Sequence, residues 1–262
     1  MQQPALNERY ESNPLRQLIA ELWILFRIQF CIIREQWAFI FILASIIPFS
    51  ILMFLHFFTV NPTEEMIVRI ITGNMLFALV IMGINVMAQE ISFQKHQGHF
   101  TFYASLPIEK VNFILANMFR GLIVSVPSFT IMAIAGQWVY GIQFTFSLWL
   151  IPLITLTILS VVALGVFLGF WSPNIQLTNL VVQALMMIIS FMTPVLVDFS
   201  QLPLILQWFS YIVPTTYAAD GLRELLSSGM STSVLQNMGM LLLFTVVSYT
   251  LILKKIHWRG EA

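Results

Sequence analysis

Few residues of this chain could carry out chemistry, and one short cluster stands out. Glu64, Glu65 and Arg69 are spaced as EExxxR. Paired carboxylates beside a guanidinium are groups that can activate water in hydrolytic enzymes.

The EExxxR spacing resembles the first motif of the CAAX-type intramembrane proteases. That family also carries an FxxxH motif and a later HxxxN. No phenylalanine lies four residues before any histidine of this chain: those positions are Leu52, Ser92, Lys95 and Leu253. The first motif without the others is interpreted as a coincidence, and a protease-like enzyme is kept only as an alternative.

Nucleotide chemistry is excluded more directly. A phosphate-binding P-loop requires a Gly-Lys pair, and no Gly-Lys dipeptide occurs in the sequence. We therefore predict that the chain is not an enzyme and holds no cofactor or metal of its own. If ATP and Mg²⁺ are used, they must bind to a separate subunit.

The composition indicates a membrane protein. Hydrophobic residues make up 58% of the 262 residues and charged residues only 9%, with a mean hydropathy of +0.86. Soluble domains carry roughly 25% charged residues. The formal net charge is zero, so nothing favours binding to nucleic acid.

Apolar runs predict an all-α polytopic fold with six membrane spans. An N-terminal region, residues 1–36, precedes the six-span region 37–262. In that region, Arg16, Arg27 and Arg34 oppose an apolar stripe, which favours an amphipathic helix in the membrane interface. The predicted spans are 37–58, 66–89, 111–139, 148–170, 175–197 and 234–256.

Basic residues predict the orientation of these spans. With six spans, Arg69 and Arg223 are the only basic residues on the outer side, and Arg120 lies within the third span. The positive-inside rule therefore places both termini in the cytoplasm of a plasma or inner membrane protein. The polar segment 89–110 lies on that same side.

Segment 201–226 is apolar at its start but contains Pro203, Pro214, Asp220, Arg223 and Glu224. These residues interrupt it too often for a full span. We interpret it as a re-entrant pair of short helices between spans five and six, with Pro214 at or near the break.

These features together resemble the permease subunits of the ATP-binding-cassette type-2 exporter family. Glu90, Gly98 and the triplet Leu106-Pro107-Ile108 stand where such permeases carry a cytoplasmic coupling helix between spans two and three. The order Thr193-Pro194, Leu202-Pro203, Pro214, Tyr217-Ala218 and Gly221-Leu222-Arg223 is similar to the end of the family's domain, closest to its drug and antibiotic exporters.

The resemblance implies a partner ATPase and a second permease copy or homologue, in contact with membrane lipid. It implies export of a hydrophobic or amphipathic substrate such as an antibiotic, drug or lipid. A membrane immunity or anchor protein without transport remains an alternative. The residues predicted to dock on the ATPase are Glu90, Phe93, Gly98, His99, Phe100, Phe102, Tyr103 and Pro107.

Three further groups have two interpretations each. Arg120 either pairs with Glu90 or extends to the lipid headgroups. Asp220, Arg223 and Glu224 either close an outer gate, with Pro203, Pro214 and Tyr217, or only solvate a helix end. Gly165 and Gly169 form a GxxxG motif that serves either packing within the subunit or dimerisation.

Overall fold

The computed structural model describes residues 14–99, 108–142, 147–193 and 202–255, together with the single residues 103, 144 and 199. The described residues are almost entirely helical, which confirms the all-α class. The predicted docking residues Phe100, Phe102 and Pro107, and Pro194 of the second motif, lie outside the described residues.

The first helix, α1, runs from Pro14 to Phe58. It passes through residue 37 without a break, so the predicted interfacial helix and the first span form one element of 45 residues. Apolar residues occur throughout this stretch, and Pro48 is its one internal proline. Sequence periodicity predicted helix on both sides of residue 37, but the boundary predicted there is not a break in the helix.

The second membrane helix forms the centre of the fold. It consists of α2 (Glu64–Val80), a π-helical segment (Ile81–Val86) and α3 (Met87–His96). Every residue from 70 to 84 is buried. Thr63 caps the start, since its side chain accepts a hydrogen bond from the backbone N–H of Met66. The helix continues beyond the predicted end at Gln89, so the polar segment 89–110 begins as its last turns.

Two long helices pack on this centre: α4 (Lys110–Tyr140) and α5 (Leu150–Trp171). Both lie close to the bounds predicted from the sequence. Gly165 of α5 lies directly against the π-helical segment, because a Cβ at this position would be 2.1 Å from the carbonyl oxygen of Gly83. A Cβ at Gly169 would lie 2.7 Å from Cβ of Ile91 and 2.8 Å from the carbonyl oxygen of Ala88. The GxxxG motif of α5 therefore packs against the second membrane helix of the same subunit, which is the first of its two interpretations.

The remaining helices are α6 (Ile175–Met192), α7 (Leu204–Ser210), α8 (Pro214–Ser227) and α9 (Thr232–Lys255). Asn174 caps α6 by accepting a hydrogen bond from the backbone N–H of Leu177. Helices α7 and α8 occupy the segment predicted to be re-entrant. Pro214 is the first residue of α8, a position where its missing N–H costs nothing.

Among the described residues, four helices are long and apolar enough to cross a membrane. They are Glu64–His96, Lys110–Tyr140, Leu150–Trp171 and Thr232–Lys254. Shorter apolar helices occur at Ser45–Phe58 and Ile175–Phe191, where the first and fifth spans are predicted. The count of six spans and the re-entrant depth of α7 and α8 therefore stay predictions.

Candidate functional site

A buried ion pair joins the second membrane helix to α4. Arg120 lies ten residues into α4 and its side chain is 5% exposed. Its Nη1 donates to Oε1 of Glu90 at 3.1 Å and to Oε1 of Gln29 at 2.9 Å. Of the two interpretations of Arg120, the structure has the paired one. A charge at this depth is costly unless it has such partners.

The Glu90 carboxylate also accepts a hydrogen bond from a residue of its own helix. Oε1 of Glu90 also accepts a hydrogen bond of 2.6 Å from Nε2 of Gln94. The two residues are four apart on α3 and therefore share a face. Gln94 is buried, so a polar residue of the predicted docking segment belongs to the interior. The network thus joins α1, α3 and α4 around one carboxylate.

Lys95 links α3 to the end of α5. Its Nζ donates to the carbonyl oxygens of Phe170 and Ser172, each at 3.0 Å. Both carbonyls lie where α5 ends, and the last carbonyl groups of a helix have no backbone N–H of the next turn to accept a hydrogen bond from. A lysine cation at the C-terminal end of a helix also interacts favourably with the helix dipole. Lys95 therefore acts as a capping group supplied by another helix.

Two further hydrogen bonds attach the helices that flank this cluster. Thr178 of α6 donates its hydroxyl to Oγ of Ser92 on α3 at 2.8 Å. Asn112, near the start of α4, donates to Oε2 of Glu21 on α1 at 3.0 Å. Together with the Arg120 and Lys95 contacts, these bonds connect α3 or α4 to α1, α5 and α6 at one end of the bundle.

Beyond this polar cluster the chain becomes exposed. Phe93 is 48% exposed, and the following residues His96 to His99 are exposed as well. Gly98 has φ = +75°, a left-handed conformation that favours glycine. Among the residues that the structure describes, no atom lies within 4 Å of a Cβ placed at Gly98.

One predicted docking residue is placed differently. Tyr103 is 8% exposed, and its ring centroid lies 5.1 Å from that of Phe113 on α4. Its interpretation as an accessible aromatic residue is therefore wrong for this conformation. The sequence marks Tyr103 as aromatic and close to polar residues, but it does not show that the ring packs back onto the core.

The predicted gate residues lie on α7 and α8. Pro203 precedes α7 and is exposed. The hydroxyl of Tyr217 donates to the carbonyl of Tyr211 at 3.1 Å, which fixes the turn before Pro214. Asp220 and Arg223 form an ion pair at 3.8 Å. These contacts hold the α7–α8 unit in one shape.

Glu224 does not join the Asp220 and Arg223 pair. It accepts a hydrogen bond of 2.5 Å from the hydroxyl of Ser231, just before α9. This bond and another from Ser233 lower the pKa of Glu224 below its usual value. Glu224 therefore connects α8 to the start of α9.

The EExxxR residues occupy the first two turns of α2. Arg69 donates to Oε1 of Glu65 at 3.3 Å, and Glu65 is 85% exposed. Arg69 and Arg223 line the same cleft. A carboxylate this exposed is in a setting unlike the interior of a membrane span, where the protease motif would have to act.

Several residues of the polar cluster were not predicted from the sequence: Gln29, Ser92, Asn112, Thr178 and Glu21. Each lies at a helix position whose partner is distant in sequence; Gln29 and Arg120 are 91 residues apart. The available signal was a polar residue within an apolar helical stretch. That signal marks a buried contact but does not name the partner.

The comparisons agree with the architecture. The family described as ABC-2 family transporter protein matches residues 61–254, which is more than half of the chain and includes α2 to α9 almost entirely. No match was found among curated proteins. The match and the long apolar helices identify a multi-pass membrane component of a transporter, and this chain belongs to the ABC-2 transporter family.

Proposed function

We propose that this chain is the membrane-spanning subunit of an ATP-driven exporter and that a separate ATPase subunit, which binds ATP and Mg²⁺, docks on its exposed segment around Phe93 and Gly98. Support comes from the family match and from the absence of a Gly-Lys dipeptide in the sequence. In this topology both termini and segment 89–110 face the cytoplasm of a plasma or inner membrane.

The observation that carries the proposal is the attachment of the exposed segment to the polar cluster. Phe93 offers an accessible aromatic anchor, a residue type that dominates the binding energy of many interfaces. The next residues along α3 in both directions are buried and hydrogen-bonded: Ser92 to Thr178, and Gln94 to Glu90. A partner that binds Phe93 therefore binds a helix that is already hydrogen-bonded to its neighbours.

A displacement of α3 would pass to four other helices. Glu90 transmits it to α4 and, through Arg120, to Gln29 on α1. Lys95 transmits it to the end of α5, and Ser92 to α6. Closure of two ATPases on ATP would supply the push, and the packed helices would move as bodies because packed interiors deform little.

The proposed route ends at the α7–α8 unit, which would dip into the outer leaflet and let substrate leave. The low polarity of the membrane helices suits a hydrophobic or amphipathic substrate, as in the drug and antibiotic branch of the family. A second copy or a homologue would complete the pathway, because one chain presents only one side of it. The alternatives are a protease-like enzyme and a membrane immunity or anchor protein.

Photo-cross-linking tests the docking role. A benzophenone amino acid replaces Phe93 in one variant and Trp138 in a control, and both are irradiated in membranes of the cells that naturally contain the chain. Trp138 lies near the other end of α4 and is 87% exposed, more than Phe93. Exposure alone would therefore favour the control.

We expect the Phe93 variant to capture a protein with a P-loop and the Trp138 variant not to capture it. The captured protein is identified by mass spectrometry of its peptides, and its nucleotide site by labelling with azido-ATP. Capture of the same ATPase by both variants, or of no ATPase at position 93 while the chain is folded and abundant, would count against the docking role. The second result would favour the immunity or anchor alternative.

A further inference from the structure

A charged cleft lies at the end of the bundle opposite the polar cluster. It has a volume of about 470 Å³, a size typical of small-molecule sites. Its walls come from the start of α2, the stretch after α4 and the end of α8. Arg69 and Arg223 line it together with Glu64 and Glu65, and Ile142 and Phe144 supply apolar surface.

The two arginines are close enough to affect each other. Both side chains are partly buried. Burial, opposed by the charge of Asp220 and assisted by that of Arg69, lowers the pKa of Arg223 to about 10. Both guanidinium groups therefore remain charged at neutral pH inside one cleft. Arg69 is paired with Glu65 at 3.3 Å and Arg223 with Asp220 at 3.8 Å, but a guanidinium group carries more N–H donors than one carboxylate takes up, so each arginine can also donate to phosphate oxygens.

The acidic residues lie at the rim of the same cleft. Glu64 and Glu65 form the first turn of α2, and the side chain of Glu65 is 85% exposed. The cleft thus has positive groups inside and negative groups at its mouth. A ligand that matches this order carries a phosphate and, a few bonds away, a cationic ammonium group.

The surroundings place the cleft level with a membrane surface. Large exposed aromatic residues belong to the helix ends of this part of the fold: Phe57, Phe58, Trp138 and Trp149. Gly136, near the end of α4, packs against Ile71 of α2, so these ends lie side by side. Aromatic residues concentrate at the level of lipid headgroups.

We propose that this cleft binds the headgroup of a phospholipid with a phosphate and a primary ammonium, such as phosphatidylethanolamine, with the phosphate on Arg69 and Arg223 and the ammonium on Glu64 and Glu65. The binding itself does not depend on transport. In the orientation of the proposed function the cleft faces the outer leaflet, and only this assignment rests on that function.

Lipid binding to the purified, delipidated chain tests this site. Intact-protein mass spectrometry counts bound short-chain phosphatidylethanolamine, phosphatidylcholine and phosphatidylglycerol on the natural chain. The same titrations are made on R69Q/R223Q, on E64Q/E65Q and on the control R27Q/R34Q. Arg27 and Arg34 are exposed on α1, so the control removes the same charge elsewhere. Soluble phosphoethanolamine and inorganic phosphate serve as competitors.

We expect R69Q/R223Q to bind phosphatidylethanolamine roughly tenfold more weakly or worse, because charge-assisted hydrogen bonds to the phosphate are lost. E64Q/E65Q should lose the preference for phosphatidylethanolamine over phosphatidylglycerol, and R27Q/R34Q should bind as the natural chain does. Competition by phosphoethanolamine but not by phosphate would show that the headgroup suffices.

Unchanged binding in R69Q/R223Q, or an equal loss in R27Q/R34Q, would overturn the proposal. If inorganic phosphate competes as strongly as phosphoethanolamine does, the proposed binding of the ammonium group by Glu64 and Glu65 would be rejected. If R69Q/R223Q does not fold, E64Q/E65Q still decides, since these side chains lie at the exposed start of α2. An unchanged lipid preference in that variant would then reject the site.

Discussion

Arg120 and Glu90 lie 30 residues apart in the sequence and form an ion pair of 3.1 Å between two membrane helices. The Arg120 side chain is almost fully buried, whereas Glu90 retains partial exposure. A buried pair often adds little net stability compared with apolar residues, but the loss of one partner leaves a buried charge uncompensated. The pair therefore matters most for the arrangement of the helices.

Replacement of Glu90 by Gln should destabilise the protein by about 3 kcal/mol, because the buried Arg120 would lose its counter-charge. Unfolding of the purified protein in detergent micelles measures this free energy. E90Q/R120L should lose less than the two single variants predict together, since the double change removes both charges.

The matched control for this pair is Arg34→Leu, which removes an exposed arginine of α1 and should change the free energy of unfolding by less than about 0.5 kcal/mol. Additive losses in the E90Q/R120L cycle would contradict a direct interaction between the two side chains. Normal export by R120L would show that the pair is dispensable for transport.

Gly165 should tolerate no side chain. A Cβ there would lie 2.1 Å from the carbonyl oxygen of Gly83 and 2.9 Å from Cα of Ile84, so α5 would have to move away from the second membrane helix. Overpacking of this kind typically costs about 1–3 kcal/mol. Gly165→Ala should therefore lower the unfolding temperature measured in detergent.

Gly239→Ala is the control for this prediction. Gly239 lies in α9, and a Cβ there meets nothing within 4 Å. Alanine is the better helix former by about 1 kcal/mol, so this variant should be as stable as the natural chain or more stable. Equal destabilisation by both substitutions would mean that close packing at Gly165 is not the cause.

The sequence predicted individual helices well and their contacts poorly. Apolar length and turn residues located α4 and α5 nearly to the residue and placed Pro214 at or near a break between two short helices, where the structure has the start of α8. Periodicity shows which residues share a face, but not which helix that face meets. Nothing in the sequence therefore distinguishes Gln29, although its side chain accepts a hydrogen bond from Arg120, which is 91 residues away.

The π-helical segment shows a second kind of limit. Residues 81–86 contain no proline, and their one polar residue, Asn85, does not by itself predict the wider turn in an otherwise apolar span. The structure places Gly83 and Ile84 of this segment against Gly165. The wider turn and the close contact occur together, and neither is encoded by residue types within one helix alone.

Lys95→Met should loosen the end of α5. The carbonyl oxygens of Phe170 and Ser172 would lose the donor that caps them, although the methionine would still fill most of the space. We expect faster amide hydrogen exchange in residues 168–174 with little change elsewhere. Lys95→Arg should restore protection, because arginine also donates hydrogen bonds, and unchanged exchange in Lys95→Met would contradict the capping role.

The junction between α8 and α9 should weaken in acid. Hydrogen bonds from Ser231 and Ser233 hold the pKa of Glu224 below its usual 4.5. A carboxylate with a depressed pKa stabilises the folded state above its unfolded pKa, and this stability is lost as pH falls through the folded value. Protection of amides in residues 225–232 should therefore decrease below pH 4.5.

Ser231→Ala tests this pH dependence. The variant should reduce the difference in protection between neutral and acidic pH, because one of the hydrogen bonds that lower the pKa of Glu224 is gone. Ser227→Ala is a suitable control, since Ser227 donates to the backbone of Glu224 and not to its carboxylate. An unchanged pH profile in Ser231→Ala would assign the acid effect to another group.

Gly98 offers a test that separates backbone strain from docking. Its φ of +75° disfavours other residues by about 1–2 kcal/mol, while no atom of the described part of the chain lies within 4 Å of a Cβ placed there. Gly141, at the far end of α4, has φ = +69° and equally open surroundings. Gly98→Ala and Gly141→Ala should therefore destabilise the chain similarly, but only Gly98→Ala should reduce the ATPase recovered with the chain on mild detergent extraction. Equal recovery of the ATPase with both variants would mean that the backbone conformation at Gly98 does not contribute to partner binding.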